Sequence, residues 1–129
     1  MCLTVIWHSL GINVVHSFFR RFGRPILRGP YRARRTAVVI TVVAILLLTH
    51  FGGVVVWAAF YYLADLVKNI QHAMYFSINA YTTMGDGDTL LAPGWRGFGN
   101  FESMTGLLMF GWSTAVLADI VQRLHSIDD

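Results

Sequence analysis

The segment Thr82-Thr83-Met84-Gly85-Asp86-Gly87-Asp88 combines two glycines two apart, two carboxylates and adjacent threonine hydroxyls. That combination suits the coordination of a bare cation. A cation entering a narrow path loses its water, and oxygen ligands must replace it. Backbone carbonyls supply them when several consecutive ones face the same side. An ordinary strand turns its carbonyls alternately, so some residues must adopt dihedrals open mainly to glycine. Gly85 and Gly87 meet that need, and the Thr83 hydroxyl adds a ligand for an innermost site. Monovalent cations are therefore expected at Thr83, Met84 and Gly85. Asp86 and Gly87 form a candidate Ca2+ position, and Asp88 stands at the outer mouth. Taken alone, Gly-Asp-Gly-Asp is also ordinary turn chemistry. An EF-hand fails, because Gly97 falls at the position where a bidentate glutamate is required.

What precedes the segment decides between a turn and an ion path. Residues 71–83 carry no Asp, Glu, Lys or Arg and include Ala73, Met74, Tyr75, Phe76, Ile78 and Tyr81. At about 13 residues this stretch is too short to cross a bilayer and suits a re-entrant helix. Such a helix points the negative end of its dipole at the following loop, which favours a cation there. Asn79, four residues before Thr83, is spaced to hydrogen-bond Asp88 behind the loop. On either side lie longer apolar runs. Thr36 to Ala64 contains no charged residue; as a helix it reaches roughly 43 Å, more than the roughly 30 Å hydrocarbon core. Ser103 to Leu124 reaches roughly 33 Å. Span, short helix, glycine-rich loop, span is the order of a pore, and 36–129 is read as one pore domain.

Composition agrees. The chain has 129 residues, of which 55% are apolar and 13% charged, and its mean hydropathy is +0.53. Soluble domains carry about a quarter charged residues. Seven of the ten basic residues fall between Arg20 and Arg35. A run of that kind can mark nucleic-acid binding, but beside a span it reads as a cytoplasmic flank drawn to anionic lipid. Residues 1–19 hold no charged side chain, and Leu3, Trp7, Leu10, Val14 and Phe18 recur at helical spacing. An amphipathic helix in the cytoplasmic interface is expected, with a third span as the alternative, weakened by His8, His16 and Asn13. Residues 1–35 then form an interfacial helix and basic linker. The positive-inside bias places both termini in the cytoplasm, the membrane being the plasma membrane. The single Cys2 excludes an intrachain disulfide. No spacing suggests catalysis, so no enzyme and no cofactor are expected, and no span carries the repeated arginines of a voltage sensor.

The loop, in this setting, resembles the T-T-V-G-Y-G-D signature of the potassium-channel superfamily, specifically its two-span bacterial members. The resemblance covers about Thr36 to Arg123. It implies an all-α membrane protein of outer helix, pore helix with selectivity-filter loop, and inner helix, assembled as a homotetramer. Met84 replaces a valine whose side chain points behind the filter. Asp86 replaces the tyrosine of potassium-selective members and is similar to the T-V-G-D-G filter of non-selective NaK-type channels. The resemblance thus implies a weakly selective pore for Na+ and K+. Four copies of Asp86 and Asp88, with Glu102 nearby, add Ca2+ binding or block. Asp88 itself matches the potassium-channel pattern, so a K+-selective pore is the alternative within the class. A non-conducting membrane partner subunit is the alternative outside it.

On the inner helix, Gly106 and Gly111 are candidate hinges or close-packing positions. Leu108, Gly111, Ala115, Asp119 and Gln122 share a helical face. Asp119 there is expected either as an inner cation-attracting ring or as the partner of Arg123. His50, inside the first long span, is a proton-sensing candidate or a hydrogen-bond partner of a neighbouring helix.

Overall fold

The computed structural model describes residues 1–23, 32–85 and 91–125, and helix is the only regular structure among them. Helix α1 (Cys2–Phe18) runs into a π-helical turn at Phe19–Gly23. Helix α2 spans Arg32–Leu63, α3 spans Ile70–Tyr81 and α4 spans Gly97–His125. The expected outer helix, short helix and inner helix are α2, α3 and α4. Among the described residues, three helices are long and apolar enough to cross a membrane: Cys2–Phe22, Ala33–Leu63 and Gly97–Leu124.

Each boundary has a local cause. α2 stops where Asp65 takes φ 54°, a left-handed conformation that Asp tolerates better than most residues. The Asp65 and Leu66 amides then donate to the Tyr62 and Tyr61 carbonyls at 3.1 and 3.0 Å, which satisfies the last turn. α3 starts at Asn69, whose side chain accepts from the Gln71 amide at 2.7 Å. Before α4, the Trp95 amide donates to the Ala92 carbonyl at 2.8 Å, and Leu91 is buried against the outer core.

Two apolar clusters hold the helices together. One gathers Ile12, Val15 and Phe19 of the N-terminal segment with Val42 and Leu46 of α2 and Ile120 of α4. The other joins Val54, Trp57 and Tyr61 of α2 to Ala73 and Tyr81 of α3 and Met109 of α4. Between them lies a polar layer of His8, Thr49, His50 and Ser113, all buried. Large apolar side chains such as Ile40, Leu48, Leu63, Leu107 and Leu108 remain exposed. That surface suits lipid or a partner rather than water.

α1 is long and apolar enough for the alternative of a third span. α1 runs antiparallel along α2. A Cβ on Gly53 would touch Thr4, one on Gly52 would run into the Trp7 indole, and one on Gly11 into Thr49. The Trp7 indole N–H donates to the Thr49 carbonyl at 2.9 Å. These contacts, with the Ile12, Val15 and Phe19 cluster, run along nearly the whole length of α1. The residues that weighed against a span have partners or an outlet. His8 is buried and bonded, while Asn13 and His16 line a cleft of about 320 Å3 with Arg20, Asp119 and Arg123. Residues of α1 thus share an apolar cluster with α2 and α4.

Candidate functional site

α3 delivers the chain to the loop. The Thr82 and Thr83 amides donate to the Ile78 and Ala80 carbonyls at 3.0 and 3.1 Å, and the Met84 amide reaches the Asn79 carbonyl at 2.9 Å. The helix thus unwinds over Thr82–Met84 while its last carbonyls stay occupied. Thr83 has φ 61° and Gly85 φ 68°, whereas Met84 between them lies outside the left-handed region. A chain whose φ alternates in sign in this way can set successive carbonyls on one side. Glycine adopts a positive φ without penalty, but threonine is a β-branched residue and seldom does. Thr83 therefore carries backbone strain of about 1–3 kcal/mol, held by the surrounding bonds. Sequence reasoning gave Thr83 only a hydroxyl ligand; its backbone conformation is the feature it missed.

Thr82, Thr83, Met84 and Gly85 are all exposed. Met84 is 76% exposed, so its own pore helix does not cover it. Asp86, Gly87 and Asp88 lie outside the described residues, and so does the Asn79–Asp88 contact; Asn79 itself is buried with its Nδ2 lacking a partner in the described chain. Arg24 and Arg28 of the basic cluster also fall outside.

Three groups of contacts fix α3. At its C-terminal end the Ser103 hydroxyl donates to the Ala80 carbonyl at 2.7 Å. Gly106 lies so close to the Tyr81 carbonyl oxygen that a Cβ would collide with it. The Tyr81 hydroxyl meets His50 Nδ1 at 3.2 Å, His50 Nε2 meets Ser113 Oγ at 3.0 Å, and Ser113 Oγ meets His8 Nε2 at 3.1 Å. This buried chain ties all four helices together below the loop, and His50 serves as the interhelical hydrogen-bonding residue. Further along α3, Glu102 accepts from Tyr61 at 2.8 Å and lies 2.5 Å from the Ser77 hydroxyl. Glu102 is thus not at the outer mouth, as expected, but fully buried between α2, α3 and α4.

The inner-helix candidates separate. Gly106 packs against α3, whereas a Cβ on Gly111 would meet nothing within 4 Å. Leu108, Gly111, Ala115 and Gln122 are exposed on one face of α4. Asp119 accepts from Arg123 Nε through both oxygens, at 2.8 and 2.9 Å.

With this geometry in view, the comparisons point one way. A family described as an ion channel matches residues 36–123, which takes in most of α2, all of α3, the loop and nearly all of α4. No curated protein and no solved structure matches the chain.

Proposed function

The chain belongs to the ion channel family, and from that premise we propose that four copies surround a cation pore lined by the Thr83–Gly87 loop. One loop supplies a quarter of a ring, so a single chain has no conduction path. The observation that carries the reading is the left-handed backbone at Thr83 and Gly85 on either side of Met84. It stands at the C-terminal end of a short helix held between two spans. The carbonyls and the Thr83 hydroxyl serve as ligands for Na+ and K+. Asp86, in place of an aromatic side chain, leaves the outer filter wide and weakly selective, and its carboxylates with Asp88 bind or are blocked by Ca2+. No cofactor takes part. Gly111, open on the exposed face of α4, is the better placed of the two hinge candidates.

With α1 as a third span and the basic connection between α1 and α2 on the cytoplasmic side, the Met1 end of α1 lies across the plasma membrane from Leu124. An α1 lying in the cytoplasmic interface would instead leave the N-terminus in the cytoplasm. Anionic lipid headgroups are the natural partners of Arg20–Arg35.

The test uses currents from purified protein in planar bilayers. Wild type should pass Na+ and K+ and lose current when millimolar-range Ca2+ is added. Asp86→Tyr should favour K+ and relieve the Ca2+ effect. A variant with unchanged selectivity and unchanged Ca2+ response contradicts the assignment to Asp86.

A further inference from the structure

Glu102 opens a question of proton count. Its side chain is 0% exposed, and no cation of the described residues pairs with it. Three short contacts meet there: Tyr61 Oη to Glu102 Oε2 at 2.8 Å, Ser77 Oγ to Glu102 Oε1 at 2.5 Å, and Ser77 Oγ to the Val54 carbonyl at 2.8 Å. The two hydroxyls bring one proton each. The Tyr61 proton serves Oε2, and the single Ser77 proton cannot serve both Val54 and Oε1. A third proton, on Oε1, completes the set: Glu102 donates to Ser77, Ser77 to Val54, and Tyr61 to Glu102. With Glu102 ionised, the Val54 contact loses its proton. A negative charge then sits fully buried with no cation of the described residues beside it, a costly arrangement.

We propose that Glu102 is held as a neutral acid and is a positioning residue for the filter, clamping the pore helix to both long helices through Ser77 and Tyr61. The neighbouring Ser103 grips the same helix one turn further on, at the Ala80 carbonyl. Together they set the tilt of α3 and so the position of the loop that begins at Thr82. The clamp itself is independent of conduction, and only its electrical readout rests on the channel reading above. The titratable side chains facing Glu102 are the phenols Tyr61 of α2 and Tyr81 of α3. Among the described residues, α4 brings no further charged partner to the carboxyl group.

Glutamine separates the possibilities. Its amide N–H donates where the acid O–H does, and its carbonyl accepts from Tyr61, so Glu102→Gln copies the neutral acid and not the carboxylate. Two measurements on purified full-length protein test the proposal. The first is single-channel recording of wild type, Glu102→Gln and Glu102→Ala at neutral pH. The glutamine variant should match the open probability of wild type. The alanine variant should lose about tenfold, the scale of a lost buried hydrogen bond. The second is an infrared difference spectrum, wild type minus Glu102→Gln, which should show the carbonyl stretch of one protonated carboxyl group. Absence of that band overturns the proposal, and so does a glutamine variant that behaves as alanine at neutral pH. If wild type carries no current, the channel reading fails and the infrared band alone decides the proposal: its presence supports the neutral acid, its absence overturns it.

Discussion

Thr83 and Gly85 share one backbone conformation but differ in its cost. At Gly85 the positive φ is free, and nothing lies within 4 Å of where a Cβ would stand. Gly85→Ala therefore meets no steric clash and loses only the conformation, which costs an L-residue about 1–2 kcal/mol. Repeated in each copy of a ring, that should lower the unitary current by about tenfold or more, read in bilayers from protein that still elutes as the intact assembly. Unchanged conductance would mean that the loop does not need this backbone. The demand for glycine at Gly85 was legible because few other residues fit. The strain at Thr83 was not, since a β-branched side chain argues against a positive φ and only the bonds around it enforce one. Glu102 was misread for a related reason. Lying just before an apolar run, it looked like a mouth carboxylate, while Tyr61 and Ser77, its partners, are 41 and 25 positions away.

At the level of helices, the inner helix carries two glycines that the sequence could not tell apart. The structure separates them by what surrounds each. Gly106→Ala forces a Cβ against the Tyr81 carbonyl and should destabilise the fold by about 1–3 kcal/mol, as overpacking does. Gly111→Ala meets open space and should stabilise its helix by about 0.5–1 kcal/mol. Thermal unfolding followed by tryptophan fluorescence should place the two melting temperatures on opposite sides of wild type. A melting point for Gly106→Ala at or above wild type contradicts the close packing. The long helices were readable from their uncharged runs. Their ends were less so: α4 begins at Gly97, not Ser103, although Gly97, Gly99 and Asn100 are poor helix formers. Packing supplies what propensity lacks, since Phe98 stacks on Phe60 at 5.6 Å between ring centres. The start of α3 came one residue early because the Asn69 cap, not apolar spacing, sets it.

Across the whole molecule, the topology turns on the N-terminal helix. Its histidines and asparagine looked too polar for a span. Burial of His8 against Ser113 and His50 depends on contacts distant in sequence, the first 105 positions apart, which no local pattern reveals. Cys2, the single cysteine and exposed, offers a test without mutation. A membrane-impermeant maleimide should label it on intact cells if α1 spans the membrane. Labelling only after permeabilisation would return α1 to the cytoplasmic interface. Order and number of pore elements were legible from charge and length alone, whereas selectivity hangs on a few side chains at one loop. The central claim, a weakly selective cation pore, is tested most directly by the reversal potential of purified wild-type protein between pure sodium and pure potassium solutions. A conducting pore with a reversal potential close to zero is the expected result. A reversal that follows the potassium equilibrium potential, or the absence of any current, would contradict it.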